Sequence, residues 1–217
     1  MEGLNQSGPE APRSPHEALP EGTLRNSSGV PLVLFRGSSL PVSLGKDERY
    51  KKEHLGHATE APSAGEAFFF TDNRKTAEYY SRGKNPNIER AVKEGGDPHI
   101  DNVNLVMKNP LVHDFKGKIY RGEETTYFNL LRRAKEEGYD GVIFKNTFDG
   151  GEYSKFDAII KGKFGGETIY GVFEPEQVVV QKTEVLIDER RRAKLLEAEQ
   201  REREKRRAAV RKRLGLN

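Results

Sequence analysis

Short apolar runs, broken by glycine, proline and charged residues, recur through the middle of the chain and predict β-strands. They lie at residues 31–39, 68–70, 103–107, 141–144, 168–173 and 177–180, with residues 158–160 as a further strand or loop. Residues 125–137 instead carry apolar side chains at helical spacing and are followed by Gly138, a typical C-cap. These patterns predict a domain that contains both strands and helices.

Three stretches between these runs are predicted to be irregular. Residues 82–99 are polar and rich in glycine, and residues 145–151 contain an Asp-Gly-Gly turn sequence. Residues 108–113 are predicted to turn out of the third strand, because Pro110 excludes a helix there.

The two ends of the chain lack the apolar pattern. Residues 1–29 are rich in proline, serine and glutamate, which predicts a flexible arm. Residues 186–217 are strong helix formers with few apolar positions, which predicts a single solvated helix. The compact domain is therefore predicted to be residues 30–185.

Charge is concentrated in this last segment. Residues 188–213 hold twelve Lys or Arg and six Asp or Glu, a net charge of +6, whereas the whole chain carries only +3. The basic helix is either a charged tail with no specific partner or a contact for nucleic acid or another acidic surface.

Other residue counts exclude several classes of protein. The chain has no cysteine, so it has neither disulfides nor a thiolate nucleophile. His54 and His57 are three residues apart, but no ligand pattern around them completes a metal site, and no metal is predicted. No apolar stretch has membrane-spanning length and the acidic, proline-rich start does not resemble a signal peptide, which predicts a soluble, cytoplasmic protein.

The segment at residues 66–81 joins a run of three phenylalanines to a helix that carries hydroxyl and aromatic groups. Its Thr-Asp-Asn corner can cap that helix. Phe68 and Phe70 are expected in the core, whereas Tyr79 and Tyr80 are candidates for either core or site. A strand, a tight corner and such a helix can stack a flat ring and hydrogen-bond its polar edge.

The end of the first strand is a second candidate. It reads Arg36-Gly37-Ser38, and a charged residue followed by glycine is unusual where a strand is only scaffold. Gly37 allows another group to approach the backbone closely. The alternative is a surface turn with an exposed arginine. Residues 41–65, a loop after this strand, can close over a ligand.

Three motifs together resemble a known family. They are Phe35-Arg-Gly-Ser38, Phe69-Phe-Thr-Asp72 with the helix that follows it, and the late segment at residues 170–178. Their order and spacing over residues 30–182 resemble the ADP-ribosyltransferase domains of phage and mobile-element polyvalent proteins, in the poly(ADP-ribose) polymerase and diphtheria-toxin-like superfamily. The resemblance implies an α+β fold, a split β-sandwich with flanking helices, to which this chain adds a C-terminal charged helix.

The resemblance also implies a function. The chain would be an NAD-dependent mono-ADP-ribosyltransferase that modifies a macromolecule, as a phage protein acting on its host in the host cytoplasm or carried in the virion. One alternative is a catalytically silent module that binds NAD, ADP-ribose or a protein. The other is a nucleic-acid-associated protein that acts through its basic helix.

The residues implied to bind NAD follow from the same motifs. The Gly37 backbone would bind the nicotinamide carboxamide, Tyr79 would stack on the ring and Phe69 would form the opposite wall. The hydroxyl of Ser38 or Thr76 would assist. The full implied set is Arg36, Gly37, Ser38, Phe69, Thr71, Thr76, Tyr79 and Tyr80, with NAD as substrate and no metal.

Two positions depart from the family's pattern. Arg36 replaces the usual histidine, and its guanidinium suits phosphate or ribose oxygens. Ile169 replaces the usual glutamate, but Glu167 lies two residues earlier and would face the same way in an extended strand. Arg36 and Glu167 are therefore predicted to be the catalytic pair, with their strands side by side. Glu152 and Glu174 are the next candidates for the acid.

Overall fold

The computed structural model describes residues 19–56, 61–83, 87–117, 126–147 and 166–213. The predicted strand or loop at residues 158–160, Glu152 and the Asp-Gly-Gly turn lie outside these residues. Within the described residues seven strands form one mixed sheet in the order β4-β5-β6-β2-β1-β3-β7. The strands are β1 Leu34–Ser38, β2 Phe68–Thr71, β3 His99–Leu105, β4 Pro110–Asp114, β5 Gly141–Thr147, β6 Glu167–Val172 and β7 Val178–Val185. Only β4 and β5 pair in parallel.

Five helices accompany the sheet in the described part of the chain. They are α1 Lys46–Arg49, α2 Arg74–Tyr80, α3 Ile88–Lys93, α4 Tyr127–Glu136 and α5 Glu189–Arg213. The Thr126 hydroxyl caps α4 by accepting from the Asn129 N–H, and Gly138 follows with φ of 77°, as its C-cap position requires. The predicted α+β class and C-terminal helix are confirmed.

All three predicted irregular stretches contain regular structure. Strand β5 continues to Thr147, so the turn predicted at residues 145–151 is wrong over its first three residues. The predicted turn at residues 108–113 is wrong, because β4 begins at Pro110 and continues to Asp114. Proline is tolerated as the first residue of an edge strand, where its missing N–H leaves no ladder bond unmade. Residues 82–99 contain α3, whose first turn is capped by the Asn87 side chain.

Side chains of alternate residues separate two cores on the two faces of the sheet. The Tyr50 face holds Leu34, Phe68, Phe70, Val103 and Leu105 together with Tyr50 itself. The opposite face, which α2 and α4 cover, is the helix-covered face and holds Tyr127, Leu131, Val142, Phe144 and Ile169. The prediction that Phe68 and Phe70 are core residues is confirmed.

Part of the predicted N-terminal arm lies along the sheet. The Leu24 N–H donates to the Leu105 carbonyl at 2.8 Å, and the Met107 N–H donates to the Gly22 carbonyl at 2.9 Å. These bonds use backbone groups, which composition does not reveal. Residues 1–18 lie outside the described residues, and the domain boundaries at 29/30 and 185/186 stay predictions.

The C-terminal helix is fixed to the domain only near its start. Ile187 is buried just before it, Arg191 pairs with Glu89, and Arg192 pairs with Asp97, both pairs at 2.6 Å. None of the described helices combines the length and apolarity that crossing a membrane demands.

Candidate active site

A cavity of about 140 Å³ opens on the helix-covered face, between α2 and α4. Its floor comes from β2 and β6, through Phe69, Thr71 and Ile169. Its lining also includes Phe35, Arg36, Gly37, Phe70, Thr76, Ala77, Tyr80 and Tyr127, with Gly56, Ala61, Ser63, Ala64 and Ala67 from the segment between β1 and β2.

The cavity lies where the central strands separate. β1 pairs with β3 at five positions but with β2 only at Phe35–Thr71. If that register continued, Gly37 would face Phe69, yet the two strands are not paired there. The sheet is therefore split between β1 and β2, beside the Gly37 backbone.

Helix α2 closes tightly over this split. A Cβ on Gly37 would lie 1.7 Å from the Ala77 carbonyl oxygen and 2.5 Å from the Ser81 nitrogen, so only glycine fits. The close approach predicted at Gly37 is made by α2. This packing places Thr76 on the wall of the cavity.

Glu167 is held by two hydroxyl groups at this wall. Its Oε2 accepts from Thr76 Oγ1 at 2.6 Å and from Thr71 Oγ1 at 3.1 Å. The pairing of β5 with β6 is irregular beside Glu167, because the register shifts between Phe144 and Thr147. The structure thus brings a carboxylate from β6 to the hydroxyls of β2 and α2.

The two tyrosines of α2 face different surfaces. Tyr80 lines the cavity, whereas Tyr79 borders a shallower groove between α2 and α3. There the Arg82 guanidinium lies 4.6 Å from the Tyr79 ring centroid. Of the two, Tyr80 is the one placed to touch a ligand in the cavity. Phe69, the other predicted wall, packs against Tyr127 at 6.1 Å between ring centroids.

The side chain of Arg36 lies on the Tyr50 face, away from Glu167. Its guanidinium carbon is 5.1 Å, 5.2 Å and 5.7 Å from the ring centroids of Tyr50, Phe68 and Phe70. Burial lowers the pKa of Arg36 from its ordinary value. The structure does not bring the predicted pair together, and the expectation that their strands are neighbours is wrong because β2 lies between β1 and β6.

Ser38 shares the face of Arg36 by strand alternation. Its Oγ accepts from the Leu40 N–H at 3.1 Å and so stabilises the local turn. Ser38 is buried and is not among the residues that line the cavity.

A buried polar cluster under β1 was not predicted from the sequence. The Asp101 carboxylate accepts from Arg49 Nη2 at 3.1 Å, from the Tyr50 hydroxyl at 3.0 Å and from Thr183 Oγ1 at 2.5 Å. The Arg49 and Asp101 side chains are 7% and 1% exposed. The sequence signal that could have indicated this cluster is Asp101, an acidic residue within the buried strand β3.

An α+β domain that is split at its central strands, with two hydroxyls on the cavity wall that hold a carboxylate, has the organisation expected of an ADP-ribosyltransferase. The chain belongs to the family described as ADP-ribosyltransferase in polyvalent proteins, whose model matches residues 26–183. The predicted resemblance is confirmed. Neither a curated protein nor a solved structure matches the chain. The part of the chain that the structure describes contains no group of three residues arranged to bind a metal ion.

Proposed function

We propose that the protein is an NAD-dependent mono-ADP-ribosyltransferase that modifies a macromolecule. The observation that carries the proposal is the Glu167 carboxylate, held by Thr71 and Thr76 at the wall of an aromatic-lined cavity. Family membership supports the transfer of ADP-ribose, and NAD is the donor that this chemistry requires. By the resemblance to phage proteins, the acceptor is a host macromolecule.

Glu167 has the chemistry that the reaction needs. The bond between the nicotinamide nitrogen and the ribose C1′ breaks, and nicotinamide leaves with the bonding electrons. Positive charge then develops on the ribose, as in glycoside hydrolysis. A carboxylate fixed by two hydroxyl donors can stabilise that charge without reorganising. The acceptor nucleophile bonds to C1′ and releases its proton to solvent.

The cavity offers partners for the nicotinamide. The rings of Phe69 and Tyr80 can enclose a flat ligand, and the Gly37 backbone at the open seam can bind the carboxamide. Arg36 then has an indirect role, because its side chain stabilises β1 from the opposite face. Tyr79 and Ser38 also act as supporting residues.

The second candidate is a catalytically silent module that binds NAD, ADP-ribose or a protein. Ile169 favours it, because this buried residue lines the cavity at the position where the resemblance expects glutamate. The same isoleucine argues against polymer formation, so both candidates exclude chain elongation.

The test is to incubate the full chain with a cell lysate and NAD labelled in its adenylate moiety. Wild type should release nicotinamide and label a macromolecule. Glu167→Gln keeps the shape of the side chain and removes its charge, and it should reduce turnover about a hundredfold or more while leaving NAD affinity nearly unchanged. Glu174→Gln is the matched control, since Glu174 is exposed and pairs with Lys52 away from the cavity.

The outcomes separate the candidates. If Glu167→Gln is fully active, another residue is the acid, and loss of activity in Glu174→Gln would identify it. If wild type binds NAD but neither transfers ADP-ribose nor hydrolyses NAD, the binding module is the correct function.

A further inference from the structure

The last turns of α5 form an unusual charged surface. Residues 205–213, here called the basic tip, contain six Lys or Arg and no Asp or Glu. Of these, Lys205, Arg206, Arg207, Arg211 and Arg213 are exposed. Because basic residues follow one another at many angles around the helix, the charge surrounds it rather than forming one stripe.

Three arginines in the turns before the basic tip and at its start differ, because their charges are compensated. Arg201, Arg203 and Arg206 each pair with a glutamate four residues earlier, at 3.6 Å, 3.2 Å and 2.5 Å. By contrast, Arg207, Arg211 and Arg213 form no ion pair with any carboxylate in the described ranges. The basic tip therefore presents cations that are free to bind an external anion.

The helix holds this tip away from the domain. Its first turns are fixed by Arg191 and Arg192, while residues 201–211 and Arg213 are exposed. A helix of 25 residues is about 37 Å long. The basic tip also lies beyond residue 183, where the match to the family ends.

The residue types of the tip indicate which polyanion fits. Val210 is its one large apolar residue, so it lacks the apolar face with which a helix enters a membrane surface. It has no aromatic residue on which single-stranded bases would stack. A charged helix of this kind fits the major groove of B-DNA, which is about 12 Å wide.

We infer that the basic tip binds double-stranded DNA through its phosphates, without sequence preference. The inference is independent of the proposed transferase activity, because it concerns binding alone.

The experiment measures the affinity of the full chain for a fluorescent 24-base-pair duplex by anisotropy, between about 0.05 M and 0.2 M salt. The tip variant is Arg207→Gln/Arg211→Gln/Arg213→Gln. The matched control is Arg201→Gln/Arg203→Gln/Arg206→Gln, which removes the same charge from paired positions of the same helix. Glutamine is nearly as good a helix former as arginine, and circular dichroism verifies that α5 is retained.

Wild type should bind the duplex with strong salt dependence. Three lost phosphate contacts should reduce the slope of log K against log salt by about 2.7 and weaken binding about five-hundredfold at 0.1 M salt. The control should lose clearly less. Failure of wild type to bind at 0.05 M salt, or an equal loss in both variants, would overturn the inference. Tighter binding to vesicles of anionic phospholipid than to the duplex would overturn it as well.

Discussion

The two faces of the sheet around β1 and β2 differ in how deeply they bury charged side chains. On the Tyr50 face, Arg36, Arg49 and Asp101 are enclosed among aromatic rings and hydroxyls, and the one carboxylate accepts three hydrogen bonds. On the helix-covered face, Glu167 is half-buried and accepts hydrogen bonds from Thr71 and Thr76, two residues that line the cavity. Asp101 comes from β3 and Glu167 from β6, so the two environments also lie on different sides of β1 and β2 in the strand order.

This difference shows that a charged residue on a buried strand does not by itself mark a site. Arg36 and Gly37 are adjacent, yet strand alternation directs the Arg36 side chain to the Tyr50 face. An enclosed charge with a buried partner is part of the fold. Removal of that partner leaves the charge uncompensated and destabilises the protein. A carboxylate held by hydroxyl groups that line a cavity is instead a candidate to act on a ligand.

The strongest test of the Tyr50 face is Asp101→Asn. The substitution removes the anion from two buried guanidinium groups and should lower the free energy of unfolding by about 3–5 kcal/mol. Urea denaturation at pH 7 measures this change.

Glu48→Gln is the control for Asp101→Asn. It breaks an ion pair with Lys51 whose two side chains are 49% and 45% exposed, and it should leave the stability nearly unchanged. An equally small change in Asp101→Asn would mean that the enclosed cluster does not depend on its carboxylate.

The helix-covered face is tested by replacing each of the two neighbouring tyrosines with alanine in turn. Tyr80→Ala should weaken NAD binding by about 1–3 kcal/mol, because it removes an aromatic wall of the cavity. Tyr79→Ala removes the same group from the neighbouring groove and should leave affinity nearly unchanged. Isothermal titration calorimetry on folded variants compares them, and the reverse order would place nicotinamide on the Tyr79 side.

Local pattern was sufficient to predict much of the fold. Apolar runs marked the strands, and the spacing around Leu130 and Leu131 together with Gly138 marked α4. The backbone pairing of Leu24 with Leu105 carries no side-chain signal, so part of the N-terminal arm was expected to be free. The edge strand at Pro110 was missed because proline also marks turns.

Only those residues of the candidate site that lie together in one sequence motif were predicted correctly. Phe69, Thr76 and Tyr80 came from one local segment, and the structure places all three on the cavity. Strand order decided the rest, because β2 between β1 and β6 separates Arg36 from Glu167. Sequence separation conceals such order: Asp101 and Thr183 meet across 82 residues.

The smallest expected effect is the pH dependence of the Tyr50 face, which depends on His99. Its Nδ1–H donates to the Asp97 carbonyl at 2.7 Å, and burial lowers the pKa of the ring below 6.5 although Asp101 acts in the opposite direction. As the pH falls, the unfolded chain therefore takes up this proton first. The contribution of His99 is fully present above pH 6.5 and is lost as the pH falls from 6.5 toward the lowered pKa of the folded state. Urea midpoints measured from pH 8 to pH 5 should fall less steeply for His99→Gln than for wild type, whatever the two midpoints are at pH 8. Parallel profiles would show that His99 does not titrate differently in the folded and unfolded chains.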